Sequence, residues 1–163
     1  MRFVKQQFRH DPDNGVHGDC GRAVIASLLD IDIDDVPHEH RDMTGDEYNA
    51  TIDAFLKSVG VTRIWVAFRA SSVADAVDWA TQWSNGMPFS LLGKSPRGSN
   101  HVVIGHEGKI VHDPHPDGGD LVGPCSNEHY YVEWFVKPAS SGQVGRPETL
   151  DFIAKGDRLE RIG

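Results

Sequence analysis

The fold is decided by NGVHGDCGRAVIASLL, residues 14–29, in which a glycine-rich loop changes to an apolar segment at Cys20. The residues after Cys20 are nearly all apolar, which predicts a buried helix beginning at that cysteine. Asp19 is in a position to cap the helix. Because unpaired N–H groups and the helix dipole stabilise a thiolate, we expect a lowered pKa for the Cys20 thiol and a nucleophilic sulfur.

A cysteine in an apolar segment can equally be a small buried hydrophobe, so a catalytic interpretation of Cys20 requires a base and a group that orients the base. His101 starts one β-rich run, Asp113 follows the next, and the turn formers at 107–108 separate the two runs. This pattern predicts a hairpin whose open ends bring Asp113 within reach of the His101 imidazole. The sequence therefore predicts a catalytic triad of Cys20, His101 and Asp113. Alternatively, His101 only fills a strand position and Asp113 belongs to a turn.

Outward from this stretch, helix signals come first and strand signals follow. Thr44 and Glu47 form a capping-box pattern at the start of a second helix, and Ser72 is placed to cap a third. Runs rich in β-branched and aromatic residues predict strands at 61–68, 89–92, 101–105, 109–112 and 130–136. The predicted class is α+β, with N-terminal helices and a central helix packed on a C-terminal antiparallel sheet.

The domain boundary is predicted after residue 138. A chain of 163 residues suits one domain, and the residues from 139 to 163 have a linker-like start that predicts a C-terminal tail. Within this tail, Pro147 to Lys155 could form a short helix.

Composition excludes several partners. With 24 acidic and 16 basic residues, the net charge of −8 would repel a phosphate backbone, so we expect no nucleic-acid partner. No apolar run is long enough to span a bilayer, and the first residues lack the apolar stretch of a signal peptide. We expect a cytoplasmic protein without a membrane partner. Two cysteines exclude a disulfide framework, although one bridge is arithmetically possible.

The order of the candidate residues, with His about 80 positions after Cys and Asp about a dozen further on, resembles the papain-like cysteine peptidase superfamily. The motif DCGxA at 19–23, with HVVI at 101–104, is most similar to the double-glycine (bacteriocin-processing) peptidase domains, over residues 14–114. This resemblance implies a papain-like fold for residues 1–138. In that family, a Gln six positions before the nucleophile helps form the oxyanion hole. Asn14 holds that position here, so the resemblance implies an oxyanion hole formed by the Asn14 amide and the Cys20 N–H.

A second resemblance rests on GDCxRAxxASLL at 18–29, DVPH at 35–38 and HDPHP at 112–116. These motifs are similar to those of small uncharacterised proteins of bacteriophages and bacteria, which would imply a host cytoplasm for a phage-encoded chain. The resemblance implies that histidines of these motifs, and Asp117, belong to the site. We take as possible substrate-pocket residues Asp19, His38, Asn100, His112 and His115; each could instead be a solvated loop residue.

The predicted function is a cysteine-dependent hydrolase or acyltransferase that acts on a peptide, amide or thioester bond without a cofactor. One alternative is a metal site built from His, Asp and Cys ligands at positions 20, 106, 112, 113, 115, 117 and 125. The fixed backbone of Pro114 argues against it, and we predict no metal. The other alternative is a non-catalytic papain-like binding or inhibitor protein. The sequence leaves open the acyl group, hydrolysis or transfer, and the oligomeric state.

Overall fold

The computed structural model describes residues 1–38 and 43–138, together with the backbone of two short strands near the C-terminus. The described helices are α1 (Cys20–Leu29), α2 (Gly45–Ser58) and α3 (Val73–Trp83), with 3₁₀ turns at Pro12–Asn14 and Ile33–Asp35. The strands are β1 (Thr62–Phe68), β2 (Phe89–Lys94), β3 (Asn100–His106), β4 (Lys109–His112), β5 (Tyr130–Val136), β6 (Phe152–Lys155) and β7 (Arg158–Arg161). The α+β class predicted from the sequence is confirmed.

Five strands form one antiparallel sheet in the order β1-β5-β2-β3-β4. The β3–β4 hairpin closes at Glu107 and Gly108, which both have positive φ angles (49° and 78°), as a tight hairpin turn requires. A bulge next to the turn shifts the pairing, so that Ile104 lies opposite His112. The hairpin thus has His101 near one open end and Asp113 directly after the other.

Helices cover both faces of this sheet because side chains alternate along its strands. On β5, Val132 and Trp134 point into an apolar cluster with α3, whereas Phe135 packs against a second cluster formed by α1 and α2. Helix α1 also packs against β3. The predicted packing of the early central helix on the later sheet is therefore confirmed, and it places the start of α1 beside the strand that carries His101.

The N-terminal segment, residues 1–10, connects α1 to the end of the hairpin. The Val4 N–H donates to Ser27 Oγ in α1 over 2.8 Å, and the Gln6 N–H donates to the Pro114 carbonyl over 3.0 Å. Lys5 Nζ donates to the Asp113 carbonyl over 2.7 Å. These bonds fix the segment after β4 relative to the helix that begins with Cys20.

The tail differs from its prediction. The short helix predicted over 147–155 is wrong at Phe152–Lys155, which forms strand β6 and pairs with β7 in antiparallel register; the rest of the predicted helix lies outside the described residues. In the described part of the chain, no helix combines the length and apolar character needed to cross a bilayer.

Candidate active site

Cys20 is the first residue of α1, as predicted. The backbone N–H groups of Val102, Gly21 and Cys20 itself favour the thiolate and act to lower its pKa. Burial is the larger effect, however, and together with the charge of Asp19 it raises the pKa of the Cys20 thiol above its ordinary value. The expectation of a lowered pKa is therefore wrong, and Cys20 is a thiol at neutral pH.

Asp19 is buried and supports the start of α1 in a different way from the predicted cap. Its Oδ1 accepts the Phe8 N–H over 2.8 Å, and its Oδ2 lies 3.4 Å from Nη1 of the buried Arg22. No side-chain capping bond is present. Arg22 Nε also donates to the Val36 carbonyl over 2.7 Å. The Asp19 carboxylate thus joins the N-terminal segment to α1, and Asp19 is not among the described residues that line the cavity around Cys20.

His101 and Asp113 form a buried pair, with His101 Nε2 2.7 Å from Asp113 Oδ1. The same carboxylate accepts the His115 N–H over 2.7 Å and the Asp120 N–H over 2.8 Å. Burial by itself raises the pKa of Asp113, but the hydrogen bonds from His101, His115 and Asp120 outweigh it, and the net pKa lies below its ordinary value. Asp113 is therefore ionised at neutral pH.

The position of the proton on His101 follows from this partner. Burial lowers the pKa of His101 more than the bond and charge of Asp113 raise it, and the charge of Arg97 lowers it further, so the ring is neutral. Since an ionised carboxylate only accepts, Nε2 carries the proton and Nδ1 does not. In the described part of the chain, Nδ1 has no hydrogen-bond partner. His101 thus has a free basic nitrogen.

A cavity of about 940 Å³ is lined by both Cys20 and His101. Asn100 and His115, two of the possible substrate-pocket residues, also line this cavity, as does Asp117. The His115 ring meets the His101 ring edge-on, with centroids 6.2 Å apart. The cavity gives a bound molecule access to the sulfur and the imidazole together.

Two other possible pocket residues are covered by the N-terminal segment. His38 stacks on Phe8 with ring centroids 4.9 Å apart, and its Nε2 lies 3.3 Å from the His17 carbonyl. His112 stacks on Phe3 at 4.7 Å, and its Nε2 lies 2.8 Å from the Val4 carbonyl. Neither histidine is among the described residues lining the cavity. The path of residues 1–10 decides whether these two histidines line the cavity, and the sequence motifs do not predict that path.

The oxyanion role expected of Asn14 does not fit its position. Asn14 ends the 3₁₀ turn Pro12–Asn14, is exposed, and donates its Nδ2 to Asp11 Oδ2 over 2.7 Å. It is absent from the described lining of the cavity. Gln6 does line it: its Nε2 donates to the Phe8 carbonyl over 2.7 Å, whereas its buried Oε1 has no hydrogen-bond partner among the described residues.

No family model, curated protein or solved structure matches this chain. The proposed chemistry of the site therefore rests on the geometry of its own residues.

Sequence reasoning missed a group of polar residues that line the cavity: Gln6, Arg9, Tyr48, Lys94, Arg97 and Ser99. They come from the N-terminal segment, from α2, from the end of β2 and from the turn after it, and they belong to no motif. For Lys94, Arg97 and Ser99 the sequence signal was their position in the loop just before His101; the other three had none.

The metal alternative finds no support in the described part of the chain, where no group of three or more His, Cys, Asp or Glu side chains is arranged to hold an ion. His106, one of the ligands considered, has its Nε2 3.1 Å from the Gly86 carbonyl. Cys20 and Cys125 are both free thiols.

Proposed function

We propose that the protein is a cysteine-dependent hydrolase or acyltransferase, in which Cys20 attacks a peptide, amide or thioester carbonyl. The observation that carries this proposal is the buried His101–Asp113 pair, which leaves His101 Nδ1 as a free base in the cavity that Cys20 also lines. The helix that begins with Cys20 packs against β3, which carries His101, and the backbone N–H of Val102, the residue after His101, favours the Cys20 thiolate. We propose a papain-like fold on the same basis, a cysteine-bearing helix start packed against a histidine-bearing strand.

In the proposed reaction, His101 Nδ1 accepts the thiol proton as the sulfur forms a bond to the substrate carbonyl carbon. The tetrahedral intermediate then collapses, the bond to the leaving group breaks, and the leaving group takes the proton from Nδ1. An acyl thioester remains on Cys20. Water or an amine attacks this thioester, gives its proton to Nδ1, and releases the thiol, which gives hydrolysis or acyl transfer. Because both groups are neutral at rest, proton transfer accompanies the attack and no ion pair is formed beforehand.

Asp113 is a positioning residue in this scheme. Its carboxylate holds His101 in the tautomer that leaves Nδ1 unprotonated, and it stabilises the imidazolium that forms when Nδ1 takes the proton. Two backbone N–H groups, of His115 and Asp120, fix the carboxylate itself. The imidazole is thereby held in one orientation before a substrate arrives.

For the oxyanion we assign the Cys20 backbone N–H and, in place of Asn14, the side-chain amide of Gln6. An N–H at a helix start is a ready donor to developing negative charge. Gln6 lines the cavity, and among the described residues its side-chain amide has one hydrogen-bond partner, the Phe8 carbonyl. Each such donor is typically worth about 3 kcal/mol in the transition state.

The second candidate is a non-catalytic binding protein built on the same fold. The observation that favours it is the raised pKa of Cys20, since a buried neutral thiol is a poor nucleophile when no base assists it. The two candidates differ in one respect: only the enzyme forms a covalent acyl intermediate on Cys20.

The test uses the whole chain and 4-nitrophenyl acetate, whose activated ester acylates thiols and releases a coloured phenolate. We expect a burst of phenolate, about one per protein, followed by slower turnover. The Cys20→Ala variant should lose the burst. The matched Cys125→Ala variant, which removes the other, buried cysteine, should retain it. A burst of normal size in Cys20→Ala would refute the proposal and leave the binding protein.

A further inference from the structure

The charge of the cavity is opposite to that of the protein. The chain carries a net charge of −8, yet the charged residues among the described lining are Arg9, Lys94 and Arg97 on the positive side and Asp117 on the negative side. A cavity lined mostly by cations in an acidic protein has a local field that attracts anions.

Two of the carboxylates near the cavity, those of Asp117 and Asp113, are engaged by other groups. Asp117 Oδ2 lies 3.0 Å from Arg9 Nη1, so these two lining charges offset each other. The Asp113 carboxylate is buried under three donors. Asp120 adds a negative charge close enough to raise the pKa of His101 slightly. Lys94 and Arg97 have no carboxylate partner among the described residues, and they are the cations left to face a ligand.

Arg97 is held in place by backbone as well as being charged. Its Nη1 donates to the Gly118 carbonyl over 2.8 Å, and a Cβ added to Gly119 would lie 3.3 Å from the same atom. The guanidinium thus lies against the loop that follows His115. Its charge lowers the pKa of both His101 and His115, so it is close to the reacting end of the cavity. A guanidinium fixed at one nitrogen still offers its other N–H groups to a carboxylate or phosphate.

We infer that the substrate of this site carries an anionic oxygen group, a carboxylate or a phosphate, which Arg97 and Lys94 bind beside the carbonyl that Cys20 attacks. This inference rests on the proposed function and adds the chemical class of the acyl group to it. Both cations are exposed, so the attraction is of the kind that salt screens.

The test compares two esters that differ in one charge: 4-nitrophenyl hydrogen adipate, which has a free carboxylate, and the same compound with that carboxylate as a methyl ester. The readout is the rate of acylation of Cys20 in a single turnover. We expect the anionic ester to react about 10-fold faster at low salt, which corresponds to about 1.4 kcal/mol from a charge-assisted contact. The preference should shrink as sodium chloride is added.

Arg97→Gln should reduce the ratio of the acylation rate with the anionic ester to that with the methyl ester several-fold. The control is Arg69→Gln, which makes the same change in net charge at an exposed arginine that pairs with Glu128 and is not among the described lining residues. It should keep the preference. Competition with free adipate and with inorganic phosphate then separates the two sources, because the better mimic of the natural group slows the anionic ester at the lower concentration.

The ester comparison distinguishes failure of the anionic substrate class from failure of the proposed cysteine enzyme. If both esters acylate Cys20 at the same rate at low salt, or if Arg69→Gln lowers the preference as much as Arg97→Gln, the anionic substrate class is wrong and the cysteine enzyme stands. If neither ester acylates Cys20, the proposed function fails, and the inference fails with it.

Discussion

Replacing Asp113 by Asn tests the centre of the site, because the two side chains have the same shape and differ in charge and in one acceptor. The carboxylate accepts His101 Nε2–H and the His115 N–H on Oδ1, and the Asp120 N–H on Oδ2. If the Asn oxygen takes the Oδ1 position, its NH₂ group faces the Asp120 N–H, and that donor loses its acceptor. The loss of this part-buried bond to a charged acceptor costs about 1–3 kcal/mol, and the two remaining bonds weaken without the charge. We expect the free energy of unfolding to fall by about 2–4 kcal/mol.

The assay is urea unfolding followed by tryptophan fluorescence at neutral pH, together with the acylation rate of Cys20 in the folded variant. The rate should fall by about 100-fold or more, because His101 is no longer held with Nδ1 free. Asp78→Asn is the matched control, since Asp78 is exposed on α3 and is not among the described lining residues; it should change both quantities little. An Asp113→Asn variant with the stability and acylation rate of the wild type would show that the carboxylate neither supports the loop nor orients the base.

Three further predictions concern stability. Arg22→Ala should lower the free energy of unfolding by about 3–5 kcal/mol in urea, because it leaves the buried Asp19 carboxylate without its cation; a loss below about 1 kcal/mol would contradict this. Stability should fall as the pH drops below about 6.5, because the fold lowers the pKa of His101 and only the unfolded chain then binds the proton. His101→Gln should flatten that slope, and an unchanged slope would mean that other groups cause it. Gly105→Ala should lower the free energy of unfolding by about 1–3 kcal/mol, because its Cβ would lie 2.3 Å from the Phe89 ring. Gly45→Ala, at the first residue of α2 where space is open, should leave the free energy of unfolding unchanged.

The parts of the structure that the sequence predicted well are those specified by local signals. The capping box at Thr44 and Glu47 forms as expected, with the Thr44 N–H 2.8 Å from Glu47 Oε2. The turn at Glu107 and Gly108 makes β3 and β4 neighbours, and this local closure is enough to bring His101 to Asp113. Such features depend on residues a few positions apart, whose preferences are readable in one chain.

What the sequence could not predict depends on contacts across long stretches of chain. The path of the N-terminal segment is fixed by bonds such as that from Lys5 to the Asp113 carbonyl. The periodicity of the sequence does not predict such bonds. That path nevertheless determines which histidines line the cavity. The spacing of Asn14 from Cys20 suited an oxyanion role, but the Asn14 side-chain amide donates to Asp11 within the same turn. The pKa of the Cys20 thiol differs from its expected direction for a similar reason. The helix start that favours the thiolate is a local feature, whereas the burial that outweighs it depends on residues far along the chain.

The most direct test of nucleophilic catalysis by Cys20 is the location of the acyl group after the acylation step. The whole protein is mixed with 4-nitrophenyl acetate, quenched in acid within the burst, digested and sequenced by mass spectrometry. The mechanism predicts one acetyl group, on the peptide that contains Cys20, and its loss from a His101→Ala variant treated in the same way. Acetyl groups confined to lysines, or equal labelling of Cys20 in the wild type and in His101→Ala, would contradict catalysis by this pair.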